Sequence, residues 1–254
     1  MSIILKADRL HKRFGAVMPA CDISVEIEQD SVVGLIGGNG AGKTTFVNMV
    51  TGYVKPDAGS IHYAGRDITA LSPRRITHLG VCRSFQIPQL FDSLSVRDNM
   101  LAAVGIAAGA ARRHGHAGAI GNVTEAVDRQ LELLGLASYA LRRAGVLPEG
   151  LRKLLDVAMA MVMGPRILLL DEPTSGVSSD EKFGIMDMVM DAAGAAGVTT
   201  LFVEHDMDIV NRYAQRILAF YDGRIIADGM PHVVLADGDV RRYIIGEEAA
   251  HAAG

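Results

Sequence analysis

Residues 37–44 read GGNGAGKT, and no other segment limits so sharply what this chain can fold into. The octapeptide fits the spacing Gly-x-x-x-x-Gly-Lys-[Ser/Thr]. Glycines at 37, 38, 40 and 42 let the main chain curl until successive N–H groups converge on one anion. The residues before it, VVGLI at 32–36, are the apolar run of a buried strand. The residues after it place Phe46, Val47, Met49 and Val50 at helical spacing, and Gly52 stops them. Strand, glycine loop and helix together make a phosphate cradle, to which the helix N-terminus adds the positive end of its dipole. Lys43 then reaches the β- and γ-phosphates, and the Thr44 hydroxyl faces Mg²⁺. A nucleoside triphosphate and Mg²⁺ are the expected ligands. Gly38, Asn39, Gly40, Ala41, Gly42, Lys43, Thr44 and Thr45 are the expected contact residues.

The remaining pattern fits an α/β fold around that loop. Residues 22–27 (DISVEI) alternate and predict a half-buried strand; 59–68 predict a short strand pair around Gly65. The middle is helical. Ser95 and Asp98 predict a capping box for a helix to about residue 108, followed by a loop at 109–121. Further helices are expected at 124–135 and 151–163, the latter with Leu151, Leu154, Leu155, Ala158, Met159 and Val162 on one stripe. Strands at 167–170 and 198–203 flank a helix whose capping box is Ser178 with Glu181. Asp222-Gly223 turns a hairpin over 217–227, and 247–254 read as a tail. The expectation is one domain. Its core, with an antiparallel β subdomain, spans 1–86 and 161–246, and a helical subdomain is inserted at 87–160.

Composition excludes several functions. Apolar residues make up 49% and the net charge is only −4, which argues against a disordered chain and against a nucleic-acid partner. Cys21 and Cys82 are too few for a disulfide framework or a zinc site, so a reducing compartment is expected. The apolar stretch 99–111 meets Arg112 and Arg113 well short of the ~20 residues that cross a bilayer. The N-terminus becomes charged at Lys6 and reads as no secretory leader.

Further residues carry chemistry. ILLLDE at 167–172 delivers two carboxylates at the end of a buried strand, where open α/β sheets place ligands. Asp171 suits the Mg²⁺ shell and Glu172 the polarisation of an attacking water; the plainer reading is a strand ending in solvated acids. His205 follows the strand LFVEH and suits a hydrogen bond to a γ-phosphate, or a structural role. Gln86, in SFQIPQLF, is either a Mg²⁺ and water ligand or an ordinary loop residue.

In that order and spacing these segments resemble an ATP-binding-cassette (ABC) ATPase over residues 4–246, with a P-loop NTPase (RecA-like) parallel-sheet core. SFQIPQLFDSLSVRDNM, FVEHDMDIV and DGRIIADGMPHVV resemble the LivG-type subunits of branched-chain amino-acid importers. The resemblance implies that Phe14 stacks on adenine, its alternative being a core position. It implies a catalytic set of Lys43, Glu172 and His205, with Thr44, Gln86 and Asp171 toward the metal. It also implies membrane permease subunits as partners, indirectly a solute-binding protein, and a peripheral place on the cytoplasmic face of the inner membrane.

The family pairs two cassettes, each capping the other's ATP with a segment that normally reads LSGGQ. Here it reads Leu147-Pro148-Glu149-Gly150-Leu151, which lacks the serine donor and sets a carboxylate against phosphate. A heterodimer with a different, intact ATPase subunit is therefore expected over a homodimer. An export ATPase for lipid or lipopolysaccharide and a regulatory, non-hydrolysing subunit are the alternatives; retention of Glu172 argues against the latter.

Overall fold

The computed structural model describes residues 2–113 and 123–246, in two compact units. The first comprises Met1–Ile76 with Thr199–Gly254, the second Thr77–Val198.

The first unit opens with a long hairpin, β1 (Ile3–Phe14) and β2 (Val17–Glu28), turned by Gly15 at φ +58°. Alternation at 22–27 marked only the second half of β2, where Ile23, Val25 and Ile27 are buried as expected. Next come β3 (Val32–Ile36), α1 (Lys43–Val50), β4 (Ala58–Tyr63), β5 (Arg66–Asp67) and α2 (Pro73–His78), whose last two residues fall in the second unit. An antiparallel sheet runs β2-β1-β4-β5.

The second unit contains β6 (Val81–Ser84), α3 (Val96–Arg113), α4 (Val123–Leu133), α5 (Glu149–Met161), β7 (Ile167–Asp171) and α6 (Lys182–Ala195). β6 and β7 pair in parallel. The Ser95 hydroxyl accepts the Asp98 N–H at 3.0 Å, so α3 is capped as expected. It continues to Arg113, five residues into the stretch read as loop; the remainder of that loop and the 247–254 tail lie outside the described residues. Ala-rich sequence sustains a helix without a periodic apolar stripe. The second capping box is a correction. Ser178 does bond Glu181 (2.7 Å), but within a turn, and α6 begins only at Lys182. In α5, Leu154, Leu155 and Ala158 are buried, whereas Leu151, Met159 and Val162 are only half-buried.

The chain returns to the first unit with β8 (Thr199–Val203), α7 (Met207–Tyr213), β9 (Arg216–Tyr221), β10 (Arg224–Gly229), α8 (Pro231–Val234) and α9 (Gly238–Val240), then a π-helical turn over Arg241–Ile245. β3 lies between β8 and β9, parallel to both, and β10 closes the edge antiparallel to β9. Parallel neighbours on both sides explain why β3 is an apolar run rather than an alternating one. Among the described residues, no helix is long and apolar enough to cross a membrane.

Candidate functional site

The glycine loop leaves the end of β3 and enters α1 where the sequence places it. Its shape is enforced from outside. Gly37 (φ +150°) lies against the Phe220 carbonyl, which an added Cβ would meet at 2.4 Å. Gly42 (φ +110°) lies against the Pro19 carbonyl, with a Cβ contact of 2.2 Å. The Gly223 N–H donates to the Ala41 carbonyl (3.0 Å), and the Cys21 N–H donates to the Gly223 carbonyl (2.8 Å). β2 and the β9–β10 turn thus buttress the loop. Gly38, Asn39 and Gly40 are exposed, Thr44 is exposed at the first turn of α1, and Thr45 is half-buried. Lys43 is buried, and its Nζ folds back onto the carbonyls of Gly37 (2.6 Å) and Gly38 (3.0 Å). An ammonium held in the concavity of its own loop marks where an anion's charge is wanted.

Two other expected residues belong to this unit. Phe14 is 50% exposed at the end of β1, so the core alternative does not hold. Lys12 Nζ lies 5.3 Å from its ring centroid and is paired with Asp57 (2.6 Å). Asp57 also accepts the Arg13 N–H at 2.8 Å, fixing the strand end that presents the ring. His205 is exposed, two residues beyond β8, and its N–H donates to the carboxylate of buried Glu204 (3.2 Å). Asp206 caps α7 through the Asp208 N–H (2.9 Å), which sets where the chain turns after His205.

The carboxylates stand in the second unit. Asp171 ends β7, buried and paired with Arg83 of β6. Glu172 follows at φ +50°, an uncommon conformation for a non-glycine residue. Its main-chain carbonyl accepts from Lys153 Nζ at 2.6 Å and its Oε2 from Gln86 Nε2 at 2.7 Å. Gln86 sits between two amides held by one side chain: Asp156 of α5 accepts the Phe85 N–H (2.9 Å) and the Gln89 N–H (3.1 Å). Burial pushes the Asp156 carboxyl up to about 6, against these bonds and the nearby Lys153. Sequence reasoning missed Lys153, Asp156 and Arg83. The first two are charges interrupting the apolar side of a helix, the one signal that would have found them.

The segment 147–151 forms the start of α5. Pro148 is its N-cap and offers no side-chain cap; Glu149 is in the first turn, 3.9 Å from Arg152. A Cβ at Gly150 would come within 2.7 Å of the Ile185 Cδ1, the far end of a side chain that would have to shift.

A glycine loop between β3 and α1, together with an apolar strand delivering Asp171 and Glu172, defines a nucleotide-binding ATPase of the P-loop class. The chain belongs to the ABC transporter family, whose match covers residues 21–175. It is 34% identical over 253 residues to the high-affinity branched-chain amino acid transport ATP-binding protein LivG of Salmonella typhimurium, covering 96% of this chain and 98% of that protein. It is 32% identical over 250 residues to BraF, the corresponding protein of Pseudomonas aeruginosa, covering 96% and 98%. Among solved structures it resembles the ADP conformation of MJ1267, an ATP-binding cassette of an ABC transporter. The TM-score is 0.83 at 30% identity, over 97% of this chain and 100% of that one.

Proposed function

We propose that this chain is the ATP-hydrolysing subunit of an importer for branched-chain amino acids or related small polar solutes. It works at the cytoplasmic face of the membrane with separate permease subunits. The single observation that carries the reading is the buttressed loop with Lys43 poised inside it.

In this reading the amides of Gly38 to Thr45 hold the phosphates. Lys43 exchanges the Gly37 and Gly38 carbonyls for the β- and γ-oxygens. Phe14 stacks on the adenine, a contact worth about 1–3 kcal/mol. Glu172 accepts a proton from the attacking water, or orients it, while Gln86 holds the carboxylate in place; such a base contributes roughly 10²–10⁴-fold. His205 hydrogen-bonds the γ-phosphate. Thr44, Gln86 and Asp171 offer hydroxyl, amide and carboxylate oxygens, the hard donors that Mg²⁺ prefers. Gln86 gives its nitrogen to Glu172, which leaves its carboxamide oxygen as the end to offer a cation. Bound there, Mg²⁺ would neutralise charge on the phosphate oxygens.

Exposed apolar side chains follow Gln86, with Ile87 75% and Phe91 51% accessible, and Val146 is 72% accessible before α5. They suit a permease's cytoplasmic helix. Pro148 and Glu149 support pairing with a second, different ATPase subunit, because Pro148 has neither hydroxyl nor N–H to give a phosphate and Glu149 brings a carboxylate to the same helix turn.

The test is Lys43→Ala. ATP affinity of the chain and turnover of the assembled complex should each fall at least about tenfold, the loss of one charge-assisted contact. Unchanged affinity and turnover would refute the reading.

A further inference from the structure

We propose that Asp156 is a positioning residue for hydrolysis: it fastens the 85–89 turn to α5 and so fixes where Gln86 holds Glu172. This rests on the reading above, in which Gln86 and Glu172 serve the attacking water.

The geometry is a closed circuit inside one unit. One Asp156 oxygen takes the Phe85 N–H and the other the Gln89 N–H, the residues just before and three after Gln86. Gln86 reaches Glu172 at 2.7 Å. The Glu172 carbonyl returns to α5 through Lys153, at 2.6 Å. Lys153 and Asp156 are three apart on the helix, hence neighbours on one face. Both are buried, at 4% and 7% exposure, where a charge persists only with partners. The same helix begins at 147–151, the segment the family presents to a second cassette's nucleotide. A displacement of α5 therefore reaches the turn of Gln86 and the main chain of Glu172 together. An apolar residue at 156 would leave two amides without their acceptor. Asparagine keeps the size but turns an NH₂ toward one of them. Misplacement of a catalytic group by about 1 Å costs on the order of 10²-fold, so a loosened turn should register in rate before it registers in binding.

The test compares Asp156→Asn in two backgrounds, in the full chain assembled with its permease: wild type and Gln86→Ala. Expected in the wild-type background is a fall in kcat of about tenfold or more, with the Kd for ATP within twofold. In the Gln86→Ala background the same substitution should change kcat less than twofold, because the group it positions is gone. An equal fall in both backgrounds makes Asp156 a structural acid only and overturns the proposal, as does no fall in either. If Gln86→Ala alone leaves kcat unchanged, the role read for Gln86 fails first and the proposal with it; the single variant shows which has failed. Should Asp156→Asn not fold, Asp156→Glu takes its place. It keeps both oxygens on a longer arm, and the comparison of backgrounds is judged by the same outcomes.

Discussion

Gln86 donates its amide to the Glu172 carboxylate at 2.7 Å, so the side chain read as base is held by the side chain that opens the turn after β6. Glu172 sits at φ +50° with its carbonyl on Lys153, an arrangement that fixes its main chain as well. Replacing it by glutamine keeps length and hydrogen bonding but removes the proton acceptor. Glu172→Gln should lower single-turnover phosphate release by about 10²–10⁴-fold. ATP affinity should stay within a few-fold. Equal losses of affinity and rate would mean that the carboxylate binds rather than reacts.

Asp156 gives a pH dependence whose sign can be worked out. Burial raises its carboxyl from the ordinary 3.8 to about 6 in the folded chain. The folded state therefore binds this proton more tightly than the unfolded one. The ionised carboxylate costs about 3 kcal/mol of stability above pH 6, and the cost fades as pH falls from about 6 to about 4. Urea unfolding of the wild type and Asp156→Asn should show the wild type gaining on the variant by about that amount across this window. A constant difference at all pH values would contradict the burial argument.

The sequence spoke most clearly where one local rule decides the outcome. The loop at 37–44, the helix stop at Gly52 and the Asp222-Gly223 turn need special backbone angles that few residues supply, so glycine announces them. Buried parallel strands such as β3, β7 and β8 announce themselves as apolar runs. β1 did not, because its charges at Lys6, Asp8, Arg9 and Lys12 break the alternation; its pairing with β2 and β4 decides it instead. The residues around Gln86 were illegible for a related reason. Asp156 bonds amides 71 and 67 positions away, and no local pattern reports such a partnership.

The loop glycines differ in what each tolerates. At Gly42 a methyl group would meet the Pro19 carbonyl at 2.2 Å, and φ is +110°. At Gly40 φ is +79° with nothing within 4 Å. Gly42→Ala should therefore cost at least about 2 kcal/mol of unfolding free energy, through main-chain displacement, and abolish ATP binding. Gly40→Ala should cost only about 1 kcal/mol, the conformational part. Thermal melts of the two variants check the order.

Phe14 is exposed and its strand end is tied down by Asp57. Phe14→Ala should weaken ATP and GTP binding alike, by roughly 1–3 kcal/mol each, since every base offers a π-face. Asp57→Ala releases both Lys12 and the Arg13 amide, and should weaken binding in the same direction but less. Titration with fluorescent ATP and GTP analogues measures both. A loss confined to one base would point to edge recognition instead.

The proposed pairing with a different subunit rests on the start of α5. A serine cap would offer its hydroxyl and N–H to a phosphate; Pro148 has neither. Glu149 stands in the first turn, where the helix dipole favours an anion, so in the proposed pair its carboxylate would compete with a phosphate there. At about 4 Å and an effective dielectric of 20, each like-charge pair costs about 4 kcal/mol. A homodimer would carry that cost at both nucleotides. A heterodimer would carry it at one and leave this chain's own loop facing an intact segment. The chain alone should accordingly turn over ATP slowly. Pro148→Ser combined with Glu149→Gly should raise that turnover at least about tenfold, even though Arg152 loses its Glu149 neighbour, because Asp92 still holds it at 2.8 Å. Brisk turnover by the unaltered chain, with no gain on restoring the donors, would show that 147–151 serves a symmetric pair as it stands.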